Sequence, residues 1–309
     1  MNFFQGSLSI DRPKTLLQQT LLNSGYDKLY WSGNNGARCK DNASNLDCIR
    51  LNVKNLNEVI VSILQNNSIM IYFDSAATTP LDPDVSIYLI EILNNVYGNP
   101  SSIHKSGQEA KAVIENSRRQ IAKCINATAG EIYFTGGGSE SNNFVLKGLL
   151  NPGDHLIISS IEHPAITKPA LSLNKSGVEI SIVEPNQYGK LCINTILDKI
   201  QKNTKLVSIM HVNNELGTTN NIAKITEILH SKNILFHTDA VQSVGKMNIE
   251  VNEIGCDFLS ASAHKFHGPK GIGFLFIKTG LELIPQITGG GQEKNLRAGT
   301  ENISGIAAM

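Results

Sequence analysis

The chain has 309 residues, 41% of them hydrophobic and 17% charged, with 27 basic side chains against 27 acidic ones. That length is enough for two domains and a substantial core, and a net charge of zero argues against binding nucleic acid through basic charge. No apolar run approaches the ~18 residues of a membrane span. The start, Met1-Asn2-Phe3-Phe4-Gln5, lacks the basic-then-apolar order of a secretory leader, and five scattered cysteines without CxxC spacing suit a reducing cytoplasm and no metal site.

Residues 1 to 68 read as an N-terminal extension, and residues 69 to 309 as a separate domain. Leu16 to Leu22 and Leu56 to Leu64 have the spacing of short amphipathic helices. Between them, Trp31 to Cys39 is rich in turn residues. Cys39 and Cys48 lack the further ligands that would complete a zinc set. At Ile71-Tyr72-Phe73-Asp74 a strand is expected, followed by the small residues Ser75 to Thr79 and Pro80. Asp82-Pro83 opens a helix, Tyr97 to Ser102 is a turn, and Ser106 to Cys124 has helical apolar spacing.

A strand at Glu131 to Thr135 leads into Gly136-Gly137-Gly138-Ser139 and then an apolar helix. Strand, glycine loop and helix N-terminus together make a phosphate cradle, because free backbone N–H groups and the helix dipole point at one place. The loop is neither a Walker A sequence nor a dinucleotide fingerprint. A flexible turn in which Ser139 caps the helix is the plainer alternative.

From His155 onward, strand-like and helix-like segments alternate. Strands are expected at His155 to Ser159, Glu179 to Val183, Leu206 to Met210 and Leu235 to Thr238. Helices are expected at Ile166 to Leu173, Ile193 to Ile200 and Ile222 to His230. Such alternation builds a mostly parallel sheet flanked by helices, whose ligands sit beyond the carboxyl ends of the strands. His163, Asn213-Asn214-Glu215, Asp239 and Gln242 all fall at those ends.

The last such stretch is Ser260-Ala261-Ser262-Ala263-His264-Lys265-Phe266-His267-Gly268-Pro269-Lys270-Gly271, between apolar runs at Cys256 to Leu259 and Gly273 to Ile277. A lysine on a loop held by core strands is a candidate for Schiff-base chemistry with a carbonyl or with pyridoxal 5′-phosphate. The glycine loop would supply the phosphate site for that cofactor. Asp239 would hold the pyridine nitrogen protonated, and His163 would lie against the ring. Ser262 and His264 would add phosphate donors.

These motifs, taken in order, resemble the class V aminotransferase family of fold-type I pyridoxal-phosphate enzymes, and within it the cysteine desulfurases. The resemblance runs from Ile71 to the end and rests on Tyr72 to Pro80, Tyr97 to Ser102, Phe134 to Asn142, Glu162-His163, Met210 to Gly217, His237 to Ser243, Ser262 to Lys265, and Gly289 through Arg297-Ala298-Gly299-Thr300-Glu301-Asn302. It implies a cytoplasmic homodimer that converts L-cysteine to L-alanine and passes the sulfur to an acceptor or scaffold protein. Lys265 would carry the cofactor and move the α-proton, assisted by His163. Asp239 would pair with the pyridine nitrogen, and Gln242 and Asn214 would lie near the ring hydroxyl. Gly138, Ser139, Ser262 and His264 would hold the phosphate, and Thr300 would reach the phosphate of the other subunit. Ser139 stands where the family usually has threonine. Family members continue into a small C-terminal domain that carries the sulfur-accepting cysteine and a carboxylate-binding arginine, so the expectation is a chain lacking both. A selenocysteine lyase, an aminotransferase or a non-catalytic remnant remain alternatives; the Gly289 to Thr300 run favours the desulfurase.

Overall fold

The computed structural model describes residues 72–309. The two helices expected before residue 68, Cys39, Cys48 and the start of the strand at Ile71 lie outside them. Seven strands form one sheet in the order β1-β7-β6-β5-β4-β2-β3. They are β1 (Ile132–Thr135), β2 (His155–Ser159), β3 (Glu179–Val183), β4 (Thr204–Ser208), β5 (Leu235–Asp239), β6 (Phe258–Ser262) and β7 (Gly273–Ile277). β2 to β6 pair in parallel, and β7 is antiparallel to both β1 and β6.

Side chains alternate across this sheet, and both faces are covered. Ile157, Val207, Phe236, Leu259, Phe274 and Phe276 belong to one core cluster. Leu156, Ile158, Leu206, Phe258, Leu275 and Ile277 belong to the other. Burial on both faces explains why these strands read as continuous apolar runs rather than as alternating ones. Polar side chains inside the sheet pair with one another. His237 reaches Ser208 Oγ at 2.8 Å and Ser260 Oγ at 3.0 Å, bridging three adjacent strands. Burial pushes its imidazole down to about 3, so the ring is neutral.

Helices fill the connections. α1 (Pro83–Asn95) starts as Asp82 and Pro83 dictate: Asp82 Oδ1 accepts from Asp84 N at 2.9 Å, and the proline sits in the first turn. α2 (Lys105–Cys124), α3 (Gly138–Leu149), α4 (Pro164–Lys175), α5 (Ile193–Leu197), α6 (Ile222–His230), α7 (Val251–Ile254) and α8 (Ile303–Ala307) follow.

Three local expectations are corrected. Residues 72–74 are not a strand: Phe73 is 91% exposed, and Ala77 N and Thr78 N bond back to Asp74 O in a turn. β4 ends at Ser208 rather than Met210, because past that point the backbone of Met210 turns to a side chain, Glu162. Ser139 is not the helix cap; Gly137 is, at φ 139°, a conformation for which a residue without Cβ is suited. A Cβ on Gly273 would lie 2.8 Å from Gly137 Cα and 2.4 Å from Ala261 O, so the glycine at the start of β7 lets the glycine loop rest on the sheet.

Candidate active site

The parallel strands end on one edge, and the antiparallel β7 starts there. Thr135 and Ser262 both pair with Gly273, so the glycine loop after β1 and the lysine loop after β6 emerge side by side. Asp239 ends β5 opposite Ser260. Around this edge lies a cavity of about 930 Å³. Gly138, Ser139, His163, Asn214, Asp239, Gln242, Ser262, His264 and Lys265 all line it. Thr300 does not: it is exposed and outside this lining.

Lys265 sits in a 3-10 turn, Ala263–Lys265, directly after β6. Its Nζ donates to Ala76 O at 2.5 Å and to Ala77 O at 2.8 Å. The small residues before Pro80 therefore wrap the lysine loop. Thr79 N and Thr79 Oγ1 both donate to His264 O, at 2.8 and 2.9 Å, and His267 N donates to Thr79 Oγ1 at 2.7 Å. Burial, and next the charge of Lys246, lower the pKa of the Lys265 amine, while Asp239 and Asp74 pull it back up. A depressed lysine has a larger fraction of free amine to attack a carbonyl. Burial also lowers His264, helped by Lys265, Lys270 and Lys246, and its Nδ1 lies 3.1 Å from Thr78 Oγ1.

Asp239 is buried at 6% exposure, and burial raises its pKa. Two hydrogen bonds oppose this: Asn142 Nδ2 donates to Oδ2 at 2.6 Å and Val241 N to Oδ1 at 3.0 Å. A buried carboxylate of this kind is stabilised further by a cationic group placed against it. His163 caps α4 with its ring: Nδ1 accepts from Ala165 N at 3.0 Å. A neutral ring bonded this way carries its proton on Nε2.

The first turn of α3 lines the cavity, and the first N–H groups of a helix have no acceptor within it. Glu140 steadies this turn. Its Oε2 accepts from Gly136 N at 2.9 Å, and its Oε1 accepts from Arg297 Nε at 2.9 Å. The Gly289 to Asn302 stretch is thereby tied to the glycine loop.

Sequence reasoning did not single out several supporting residues. Asn142 stands one turn into α3, where its amide reaches Asp239; its place in the Ser139-Glu140-Ser141-Asn142 run was the available signal. Glu162 is buried at 6% exposure, accepts from Ser159 Oγ at 2.6 Å and Met210 N at 3.0 Å, and leaves Oε2 without a partner. Burial, opposed by those bonds, pushes its pKa up to about 8. With Asn213 Nδ2 donating to Ile161 O at 3.0 Å, it joins the loop that carries His163 to the loop that carries Asn214. In sequence, Cys124 has apolar helical neighbours and Cys192 and Cys256 border strand-like runs, a pattern that predicts burial for all three; Cys256 is buried, but Cys124 and Cys192 are exposed. Cys124 is the last residue of α2 and Cys192 precedes α5, so neither is enclosed by the core. None of the three lines the cavity.

A mostly parallel sheet with a lysine, a buried aspartate and a helix N-terminus meeting at its strand ends is the large-domain arrangement of fold-type I pyridoxal-phosphate enzymes. The chain belongs to the class-V aminotransferase family, which matches residues 71–309. It is 46% identical over 243 residues to the cysteine desulfurase IscS of Dictyoglomus turgidum, a match covering 77% of this chain and 62% of that protein. It is 42% identical over 244 residues to cysteine desulfurase IscS 1 of Archaeoglobus fulgidus, covering 78% of this chain and 64% of that protein. Among solved structures, SspA in complex with cysteine is 40% identical with a TM-score of 0.76, over 77% of this chain and 71% of that one. The chain thus spans less than two thirds of the length of these curated relatives. Among the described residues, no helix is long and apolar enough to cross a membrane.

Proposed function

We propose that the cavity takes pyridoxal 5′-phosphate and that the chain serves as a cysteine desulfurase. The reaction would turn L-cysteine into L-alanine and pass the sulfur, by way of a carrier cysteine that is none of Cys124, Cys192 and Cys256, to an acceptor or scaffold protein for iron–sulfur cluster or thio-cofactor assembly. The chain would work as a cytoplasmic homodimer in which residues 69–309 form the cofactor domain and residues 1–68 an extension. The observation that carries this reading is the convergence of the Lys265 amine, the buried Asp239 carboxylate and the first turn of α3 on one cavity.

The residues present fit the cofactor. The α3 first turn, with Gly138 and Ser139, supplies N–H donors and dipole for a phosphate, and Ser262 and His264 add side-chain donors beside it. Asp239 would hold a protonated pyridine nitrogen, the cation its buried charge favours. Gln242 and Asn214 would hold the ring hydroxyl, and His163 would lie against the ring face. Thr300 would serve the phosphate of a second copy. When bound, the cofactor supplies an electron sink for the electrons left at the substrate α-carbon.

The remaining work falls to this chain's own groups. Lys265 Nζ would hold the cofactor until the substrate amine displaces it and, as the freed amine, would take the α-proton, a task suited to an amine whose pKa is already lowered. His163 exchanges a proton through Nε2, since Nδ1 is engaged by Ala165. Glu162 and Asn213 keep the His163 and Asn214 loops in register.

The test is reduction of the cofactor-loaded protein with borohydride, followed by peptide mapping. The adduct is expected on Lys265. An adduct on another lysine, or none, overturns the reading.

A further inference from the structure

Lys246 belongs to none of the site motifs and does not line the cavity. It lies on the turn after β5, exposed to solvent. Its Nζ nevertheless donates to Gln242 Oε1 at 2.9 Å. This contact fixes which way the Gln242 amide is turned, and Nε2 donates to Ala76 O at 2.8 Å. The same carbonyl receives Lys265 Nζ at 2.5 Å. A second contact fixes this turn against the lysine loop. Gly245 stands at φ 75°, and a Cβ there would lie 2.5 Å from Phe266 Cβ, so only glycine lets the turn seat so closely beside the residue that follows Lys265.

We propose that Lys246 is a positioning residue of this site: it orients the Gln242 amide on the Ala76 carbonyl and, by its positive charge, keeps the Lys265 amine reactive. The proposal rests on Lys265 being the reactive amine. The physical ground is that an ammonium beside a second cation gives up its proton more readily. The other groups acting on Lys265 are known. Burial opposes its charged form most and Lys246 next, while Asp239 from the end of β5 and Asp74 from the wrapping segment favour it. His264, His163 and Lys270 share the cavity. Lys246 is the basic side chain whose hydrogen bonds lead to the carbonyl that Lys265 uses. Its exposure makes Lys246→Met compatible with folding.

The experiment uses the full chain as wild type, Lys246→Met and Lys246→Arg. Competitive labelling with acetic anhydride across a pH series, read at the Lys265 peptide by mass spectrometry without added cofactor, gives the titration midpoint of that amine. In parallel, the rate of Schiff-base formation with pyridoxal 5′-phosphate is followed by visible absorbance. Lys246→Met should raise the labelling midpoint by about half a unit or more, which lowers the free-amine fraction near neutral pH about threefold. Lys246→Arg should restore the wild-type midpoint. Equal midpoints in wild type and Lys246→Met overturn the proposal, as does a shift that arginine fails to restore. If the wild type forms no Schiff base but the labelling midpoint still moves, the cofactor reading fails while the role of Lys246 stands.

Discussion

Arg118 and Glu293 make the most demanding ion pair of this fold, and breaking it should cost more than any single surface change. Arg118, on α2, is 4% exposed and Glu293 is 6% exposed. The guanidinium donates to both carboxylate oxygens at 2.7 Å and to Ile132 O at 2.8 Å. Phe134 N donates to Glu293 Oε2 at 2.8 Å, so the pair is fastened to β1. Glu293 reaches this position because Glu293, Lys294 and Asn295 adopt left-handed φ values of 44°, 58° and 67°. For Glu293 and Lys294 this conformation costs about 1–2 kcal/mol each, whereas asparagine tolerates it better, and the ion pair helps offset that strain. Removing one partner of a buried pair costs about 3–5 kcal/mol, because the other charge is left without compensation. Arg118→Met should therefore lower stability by about that much, a fall in Tm of roughly 6–20 °C for a domain of this size. Glu293→Gln should cost less, because Arg118 keeps Glu115 as an ion-pair partner at 3.2 Å. The double variant should lose less than the sum of the two, since no charge is then stranded. Thermal unfolding followed by circular dichroism, with urea titration to obtain free energies, measures all three. A loss below ~1 kcal/mol in Arg118→Met, the value of an exposed pair, would refute this reasoning. Glu293→Gln should also weaken cofactor retention, because Arg297 on the same stretch steadies Glu140 of the glycine loop.

Other expectations concern the site. Asp239→Asn should retain the cofactor but slow α-proton exchange on L-alanine by about two orders of magnitude or more, the scale of losing one contact at a reacting centre; exchange at the wild-type rate would give Asp239 a different role. Glu162 has a folded pKa near 8 against an ordinary 4.5, so its contribution to stability is fully present below pH 4.5 and is lost as pH rises towards 8, by about 1.4 kcal/mol per unit. Glu162→Gln keeps the acceptor for Met210 without the titration, so it should match wild type near pH 4 and exceed it at pH 8; parallel pH–stability curves would contradict this. With L-cysteine, the cofactor-loaded 309-residue chain should exchange the α-proton without multiple-turnover persulfide formation, because no cysteine among the described residues lines the cavity. Persulfide mapped to any of its cysteines over several turnovers would show that one of them reaches the substrate.

How far the site was legible from the sequence follows from where each residue's partner lies along the chain. The glycine loop, the lysine loop and Asp239 were legible because each combines a reactive group with the apolar strand that holds it, and alternating strands send their ends to one edge. The boundaries of α6 and β7 were legible for the same reason: apolar spacing there is uninterrupted. Tyr72 to Asp74 misled because its apolar character resembles a strand, whereas Phe73 faces solvent and the chain turns at Asp74, whose carbonyl accepts from Ala77 N and Thr78 N. The exposure of Cys124 was hidden because a position at the end of an amphipathic helix depends on what packs around that end.

The residues that tune the site were least legible, and the physical reason is common to them. Asn142 matters because its amide meets a carboxylate 97 residues further along the chain. Glu162 matters because its second acceptor contact is the backbone of Met210, 48 residues away. Lys246 reaches Gln242 within one helical turn's spacing, but the consequence depends on Ala76, 166 residues from Gln242. In each case the side chain is unremarkable until folding removes water from one partner and brings the other within hydrogen-bond distance. Loss of such a partner leaves the reacting groups in place and changes their protonation. Variants at Asn142, Glu162 and Lys246 should therefore show themselves first in pH dependence, whereas variants at Lys265 remove the reacting amine at every pH.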